Sequence, residues 1–205
     1  MRRALRIRSD ESGRALPEGK QAALLTGART QMRELTVLIT DLLELSRPEQ
    51  ARGTGPTQPV EFDEVVARAV ERVRPRGMVN GDVSVGVTAS LERWPAHGDE
   101  AALERAVVNL LDNAVKFSPP GTTVDVVLRH GTLTVRDRGP GIPLEDLPHV
   151  FERFWRSPSA RAMPGSGLGL AIAARAVREA GGTVSLAAAP DGVGTIARIV
   201  LPRGT

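Results

Sequence analysis

The stretch NLLDNAVKFS (Asn109–Ser118), followed by DRGPGI (Asp137–Ile142) and GSGLGLA (Gly165–Ala171), decides how this chain is read. Asn109 and Asn113 stand four apart in a segment of helical apolar spacing, so both side chains leave one helix face. A side-chain amide offers a neutral oxygen to a hard cation such as Mg²⁺ and an N–H₂ group to phosphate oxygens. Lys116, one turn beyond Asn113, can set a point charge on a phosphate. Taken alone, the pair fits equally well a polar face whose amides bond each other or solvent.

The other two stretches add backbone chemistry. Asp137 ends an alternating segment and precedes Arg138-Gly139-Pro140-Gly141. A carboxylate buried at a strand end accepts strong hydrogen bonds, and glycines let the chain turn sharply beside it. An ordinary Asp turn is the alternative. Gly165, Gly167 and Gly169 precede a helical pattern, so free N–H groups and the positive end of the helix dipole would face an anion. A dinucleotide-binding turn would follow a strand directly. Here the preceding segment, Pro143–Pro164, has no sustained period, and that reading fails on context.

Outward from these motifs the chain divides by composition. Leu25, Ala28, Met32, Leu35, Ile39 and Leu42 recur at alternating steps of three and four, flanked by Leu24, Leu38 and Leu45. A seam of that period wants a partner helix, although packing on its own domain is the plainer reading. Pro48–Pro59 holds three prolines and two glycines and reads as a linker. From Val60 onward strands and helices alternate. The pattern predicts a strand at Val60–Phe62, a helix capped by Asp63, and a strand through Val83, Val85 and Val87. It then predicts a helix from Asp99 to about Phe117, stopped by Pro119-Pro120-Gly121. Thr122–Leu128 and Thr132–Arg136 form a hairpin. A helix over about Gly167–Ala180 and strands at Thr183–Ala188 and Thr195–Leu201 complete the set. The expected class is α+β, a two-layer α/β sandwich with one mixed sheet under a helical layer.

Composition narrows the function classes. Against 27 basic residues stand 24 acidic ones, a net charge of +3, scattered without a basic stripe or interleaved aromatics. That excludes a nucleic-acid partner. The 205 residues include no cysteine, so no disulfide or thiolate metal site exists, which suits a reducing compartment. No apolar run approaches the about 20 residues that span a bilayer. The expected location is cytoplasmic, with a full-length parent free to be membrane-anchored.

In this order and with these gaps, the three stretches resemble the ATP-binding core of sensor histidine kinases, which share the GHKL nucleotide fold with gyrase B, Hsp90 and MutL. The resemblance covers roughly Glu61 to Pro202. It implies ATP and Mg²⁺ as cofactors, with Mg²⁺ and the triphosphate at Asn109 and Asn113, and Lys116 beside them. Phe117 matches an aromatic next to the nucleotide. By the same resemblance Asp137 would read adenine, supported by Gly139, Gly141 and Ile142, with Thr195 matching a second polar contact. Gly165, Gly167, Leu168 and Gly169 match the phosphate-facing box. FERFWR (Phe151–Arg156) matches the box that opens a flexible lid, making Arg153 and Arg156 candidate phosphate contacts, while Phe151, Phe154 and Trp155 serve equally as a local apolar anchor.

The weaker resemblance of TDLLELSR to the second helix of a dimerisation hairpin sets the expected domains: 1–47 a partial helical hairpin (second helix about 20–47), 48–59 a linker, 60–205 the catalytic domain. The partners implied are a phosphoacceptor histidine hairpin in cis or in trans, a response regulator receiver domain, and a second copy through Leu24–Ser46. The first hairpin helix would carry a motif like HELRTPL, and only Ala4–Arg8 stands where its tail would be. His97, His130 and His149 lack that context and read as surface residues. ATP-hydrolysing clamps place Glu, a general base, where this chain has Asn109. An amide takes no proton, so the resemblance implies phosphoryl transfer by Asn109 and Lys116 rather than hydrolysis. A GHKL-type ATPase and a non-catalytic nucleotide-binding module are the alternatives.

Overall fold

A computed structural model describes residues 58–79, 82–158, 160, 163 and 165–204. The Leu24–Ser46 seam and most of the linker lie outside them. In chain order the elements are β1 (Gln58–Glu61), α1 (Phe62–Val73), β2 (Met78–Val79), β3 (Asp82–Val83), β4 (Val85–Leu91), β5 (Pro95–Gly98), α2 (Glu100–Phe117), β6 (Thr122–Arg129), β7 (Thr132–Arg136), α3 (Gly169–Glu179), β8 (Thr183–Ala188) and β9 (Thr195–Val200).

Five strands make the main sheet in the order β4-β6-β7-β9-β8. β4 runs parallel to β6, and the remaining pairs are antiparallel, so the sheet is mixed. Alternation gives the sheet one apolar face. Val124, Val126 and Leu128 of β6, Leu133 and Val135 of β7, and Ala197 and Ile199 of β9 point into the core. The helices cover that face with Val65, Val66, Val70, Leu103, Val107, Leu111, Ala173 and Val177. With aromatics at 3% of the chain, small aliphatic side chains build this layer. Each such side chain, once buried, contributes about 1.5–3 kcal/mol against exposure. The opposite sheet face carries Thr88, Ser90, Asp125, Arg129, Thr134 and Arg198, as a solvated face should.

α2 is the element that positions the candidate site. Its start is set by Asp99, whose carboxylate accepts from the Ala102 N–H at 3.0 Å. Asp99→Ala should cost about 1 kcal/mol, read as a lowered denaturation midpoint with an unchanged m-value. Leu103, Ala106, Val107, Leu110, Leu111 and Ala114 bury one face. Asn109, Asn113, Lys116 and Phe117 are left half-buried on another.

Three local expectations are corrected. Asp63 does not cap α1. The cap position is Glu61, without a side-chain bond, and the Asp63 carboxylate accepts instead from the Trp94 N–H at 3.0 Å. β1 takes in Gln58 and Pro59, which composition assigns to the linker. His97 sits in β5, half-buried, rather than in a surface turn, because β5 pairs antiparallel with β1 in a small second sheet. Trp94, unremarked in the sequence, ties several elements together. Its indole N–H donates to the Leu201 carbonyl at 3.2 Å, and the Arg203 guanidinium lies 5.5 Å from its ring.

Candidate active site

The N-terminus of α3 comes up against the polar face of α2. A methyl group built on Gly169 would stand 3.2 Å from Asn109 Oδ1, and one built on Gly165 would stand 3.2 Å from Lys116 Nζ. The two motifs therefore meet closely, with a Cβ at either glycine in tight contact with an α2 side chain. The cap residue Leu168 makes no side-chain cap bond, and Ser166 Oγ accepts from the Leu168 N–H at 3.2 Å, which leaves the N–H groups of the first turn of α3 itself to an anion. Burial, with the Arg156 charge second, holds the Lys116 amine below the ordinary lysine value. The amine also lies 4.9 Å from the centroid of the Phe117 ring. The Lys116 and Arg156 cations beside the α3 start make this surface electropositive.

Asp137 lies at the end of β7 and is 9% exposed. Its Oδ1 accepts from the Gly139 N–H at 2.8 Å and the Thr195 N–H at 3.0 Å. No described hydrogen bond reaches Oδ2, which keeps its lone pairs for a ligand. The Asp137 N–H in turn donates to the Thr195 carbonyl at 3.0 Å. Thr195 thus holds the carboxylate through its backbone. Gly139 packs on the end of α2, where a methyl group would sit 2.7 Å from the Phe117 carbonyl oxygen. Gly141, at φ +78°, turns the chain back toward Gly194, and Ile142 follows it half-buried.

Among the described residues, the segment from Pro143 onward is built of short turns. Phe154 N–H donates to the Gly167 carbonyl at 3.0 Å, so the aromatic box is clasped to the glycine box. Phe151 and Trp155 are half-buried, as an anchor requires, but Phe154 is 58% exposed at φ +64°. Arg156 donates to the Ala160 and Met163 carbonyls and so fixes the lid turn. Arg153 is exposed and makes no described contact. The Leu168 side chain is fully buried, which leaves only its backbone to face a ligand. His149 pairs with Glu152 at 2.7 Å, and His130 occupies the β6–β7 turn at φ +47°.

Residues 98–205 match the family of histidine kinase-, DNA gyrase B- and HSP90-like ATPases. The chain belongs to this family. Among curated relatives, the signal transduction histidine-protein kinase/phosphatase MprB of Mycolicibacterium vanbaalenii is 45% identical over 195 residues. That alignment takes in 91% of this chain and 39% of the relative. The MprB of Mycobacterium avium is 46% identical, over 82% of this chain and 32% of that protein. The chain therefore spans well under half the length of these relatives. A solved structure of a mycobacterial sensor histidine kinase MprB aligns with a TM-score of 0.63 at 41% identity, covering 72% of this chain and 97% of that one. The ATP-binding domain of PrrB from Mycobacterium tuberculosis aligns at 0.56 and 26% identity, covering 74% of this chain and all of that one, 100%. The domain described here is thus the ATP-binding catalytic domain of the histidine kinase type.

Gly194 escaped the sequence reading. A methyl group there would lie 2.2 Å from the Asp137 carbonyl oxygen, yet Asp137 and its contact strand are 58 residues apart at Thr195. No spacing rule announces such a contact. The pairing of β7 with β9, with Arg136 opposite Ile196, creates it.

Proposed function

We propose that this domain binds Mg²⁺-ATP and transfers the γ-phosphoryl group to a histidine on a dimerisation hairpin, which lies in cis in a longer protein or is supplied in trans. The observation that carries the proposal is Asn109 Oδ1 set against the start of α3 with Lys116 facing Gly165. Backbone N–H groups at Gly165–Gly169 and the Lys116 amine bind phosphate oxygens, with Gly167 and the Leu168 backbone between them. Asn109 and Asn113 supply neutral oxygens without a carboxylate, which suits a cation that arrives already neutralised by a triphosphate. Mg²⁺, when bound, neutralises charge on the phosphates. Asn109 cannot take a proton from water, so the site positions the phosphates and leaves nucleophile activation to the acceptor imidazole. Asp137 Oδ2 accepts from the adenine amino group while Oδ1 stays locked to Gly139 and Thr195. Ile142, Gly141 and Phe117 border the base, and Arg153 on the lid reaches the phosphates when the lid closes.

Around this chemistry we place a response regulator receiver domain as phosphate acceptor, a second copy joined through the Leu24–Ser46 seam, and the cytoplasmic side of a membrane sensor. We divide the chain as 1–47 for the hairpin portion, 48–59 for the linker and 60–205 for catalysis, β1 starting within the linker at Gln58. Among the described residues no helix is long and apolar enough to cross a membrane.

Asp137→Asn tests the adenine assignment. The substitution keeps shape and removes the charged acceptor, which should cost about 1.5–3 kcal/mol, roughly ten- to hundredfold in ATP affinity. Calorimetric titration with ATP and GTP reads it. Equal affinity of the native chain for both nucleotides, or an unaffected variant, defeats the assignment.

A further inference from the structure

Behind the Asp137 loop, on the solvated face of the sheet, three side chains are linked. Arg138 Nη2 meets Asp125 Oδ2 at 2.5 Å, and Asp125 Oδ1 accepts from Thr88 Oγ1 at 3.0 Å. Asp125 sits opposite Thr88 on β4 and opposite Arg136 on β7, so the carboxylate is fixed by the register of three strands. The same guanidinium donates through Nη1 to the Asp137 carbonyl at 3.4 Å. The Arg138 N–H donates to the buried Ser118 Oγ at 3.3 Å, which ties the loop to the end of α2.

We infer that Arg138 is a positioning residue for adenine recognition, bridging Asp125 to the Asp137 main chain and so fixing the direction in which the Asp137 carboxylate projects. The inference rests on the reading of Asp137 given above. Its physical basis is the geometry of the carbonyl. Gly194 closes one side of the Asp137 carbonyl, and the Asp137 N–H is spent on Thr195. The Arg138 fork donates to the same carbonyl and carries the constraint into the sheet through Asp125. A charge-assisted bond to Asp125 sets the fork, and its planar shape then limits where the loop can drift. The Arg138 and Asp125 side chains are 29% and 38% exposed, so water screens the pair and its removal should leave the fold standing. What it moves is the precision of a buried acceptor, to which binding is sensitive at the level of a fraction of an ångström.

A neighbouring contact supplies the control. Arg129 donates to Ser90 Oγ at 2.9 Å across the same two strands and the same face, far along β6 from the loop. Arg138→Ala should weaken ATP and ADP equally, by roughly three- to tenfold, and lower the ATP-over-GTP preference by a similar factor. Arg129→Ala should change neither. Arg138→Lys should recover part of the loss, and Arg138→Ala combined with Asp125→Ala should be no weaker than Arg138→Ala alone. Calorimetry on the full chain, paired with thermal melts, reads all five proteins. An Arg138→Ala variant with native ATP affinity and native preference overturns the inference while the adenine reading stands. So does a loss that Arg129→Ala reproduces. If the native chain itself fails to prefer ATP, the adenine reading has failed first, and the two failures are distinct.

Discussion

Asn113→Ala, and separately Asn109→Ala, should lower phosphate transfer from ATP to a supplied acceptor-histidine hairpin by on the order of 10²–10³-fold while the fold persists. Both side chains are half-buried on the polar face of α2, and neither is among the residues that pack its core face. Removing either takes away an oxygen donor and a phosphate-directed N–H₂ group, not a packing contact. The loss is therefore one of transition-state positioning, and it should appear in turnover more than in the melting temperature. Acid-labile label on the hairpin, followed over time with radiolabelled ATP, measures it. The chain incubated alone should take up almost none, because His97, His130 and His149 stand in a strand, a turn and a lid contact. Transfer in trans should be slow, since a bimolecular encounter lacks the effective concentration that tethering supplies. Stoichiometric label on one of those three histidines would overturn the assignment of the acceptor. Rapid hydrolysis of ATP with no labelled protein would overturn the argument from Asn109 and return the site to the clamp-type ATPases.

The sequence discloses α2 and its polar face because three local signals agree there: the Asp99 cap, the apolar period, and the Pro119-Pro120-Gly121 stop. The mixed sheet was legible for the same reason, since β6, β7, β8 and β9 alternate and are separated by turn residues. β5 was not. Pro95-Ala96-His97-Gly98 has no strand composition, and only its pairing with β1 extends it. Asp63 illustrates a different limit. Its position before an apolar helix fits a cap, but the Trp94 N–H, 31 residues away, claims the carboxylate. At the candidate site, the motifs nominate residues and leave their atoms undetermined. Thr195 contributes its N–H, Leu168 turns its side chain inward, and Arg156 spends donors on lid carbonyls. The Thr195 contact joins segments 58 residues apart, whereas the Arg156 bonds are local, four and seven residues along the chain, and follow from how the turn happens to fold.

Gly194→Ala should destabilise the domain by roughly 2–4 kcal/mol and remove ATP binding, although Gly194 carries no side chain to touch the nucleotide. Two costs add. At φ +86° a Cβ is strained wherever it stands. The Cβ would also lie 2.2 Å from the Asp137 carbonyl oxygen and 3.0 Å from Asp137 Oδ1, so β7 and β9 must part at the carboxylate. Parting them breaks the Asp137 N–H to Thr195 carbonyl bond and the Thr195 N–H to Oδ1 bond together. Gly192 separates the two costs. It has φ +76° in the same turn, and nothing lies within 4 Å of a Cβ built there. Gly192→Ala should therefore carry the conformational cost alone, about 1 kcal/mol, and bind ATP normally. Thermal melts of both variants, with ATP calorimetry below the lower midpoint, give the comparison. If Gly194→Ala melts with Gly192→Ala and still binds ATP, the close approach of β9 does not hold the Asp137 carboxylate in place. The adenine contact would then have to be fixed from the loop side alone, by Gly139 and Arg138.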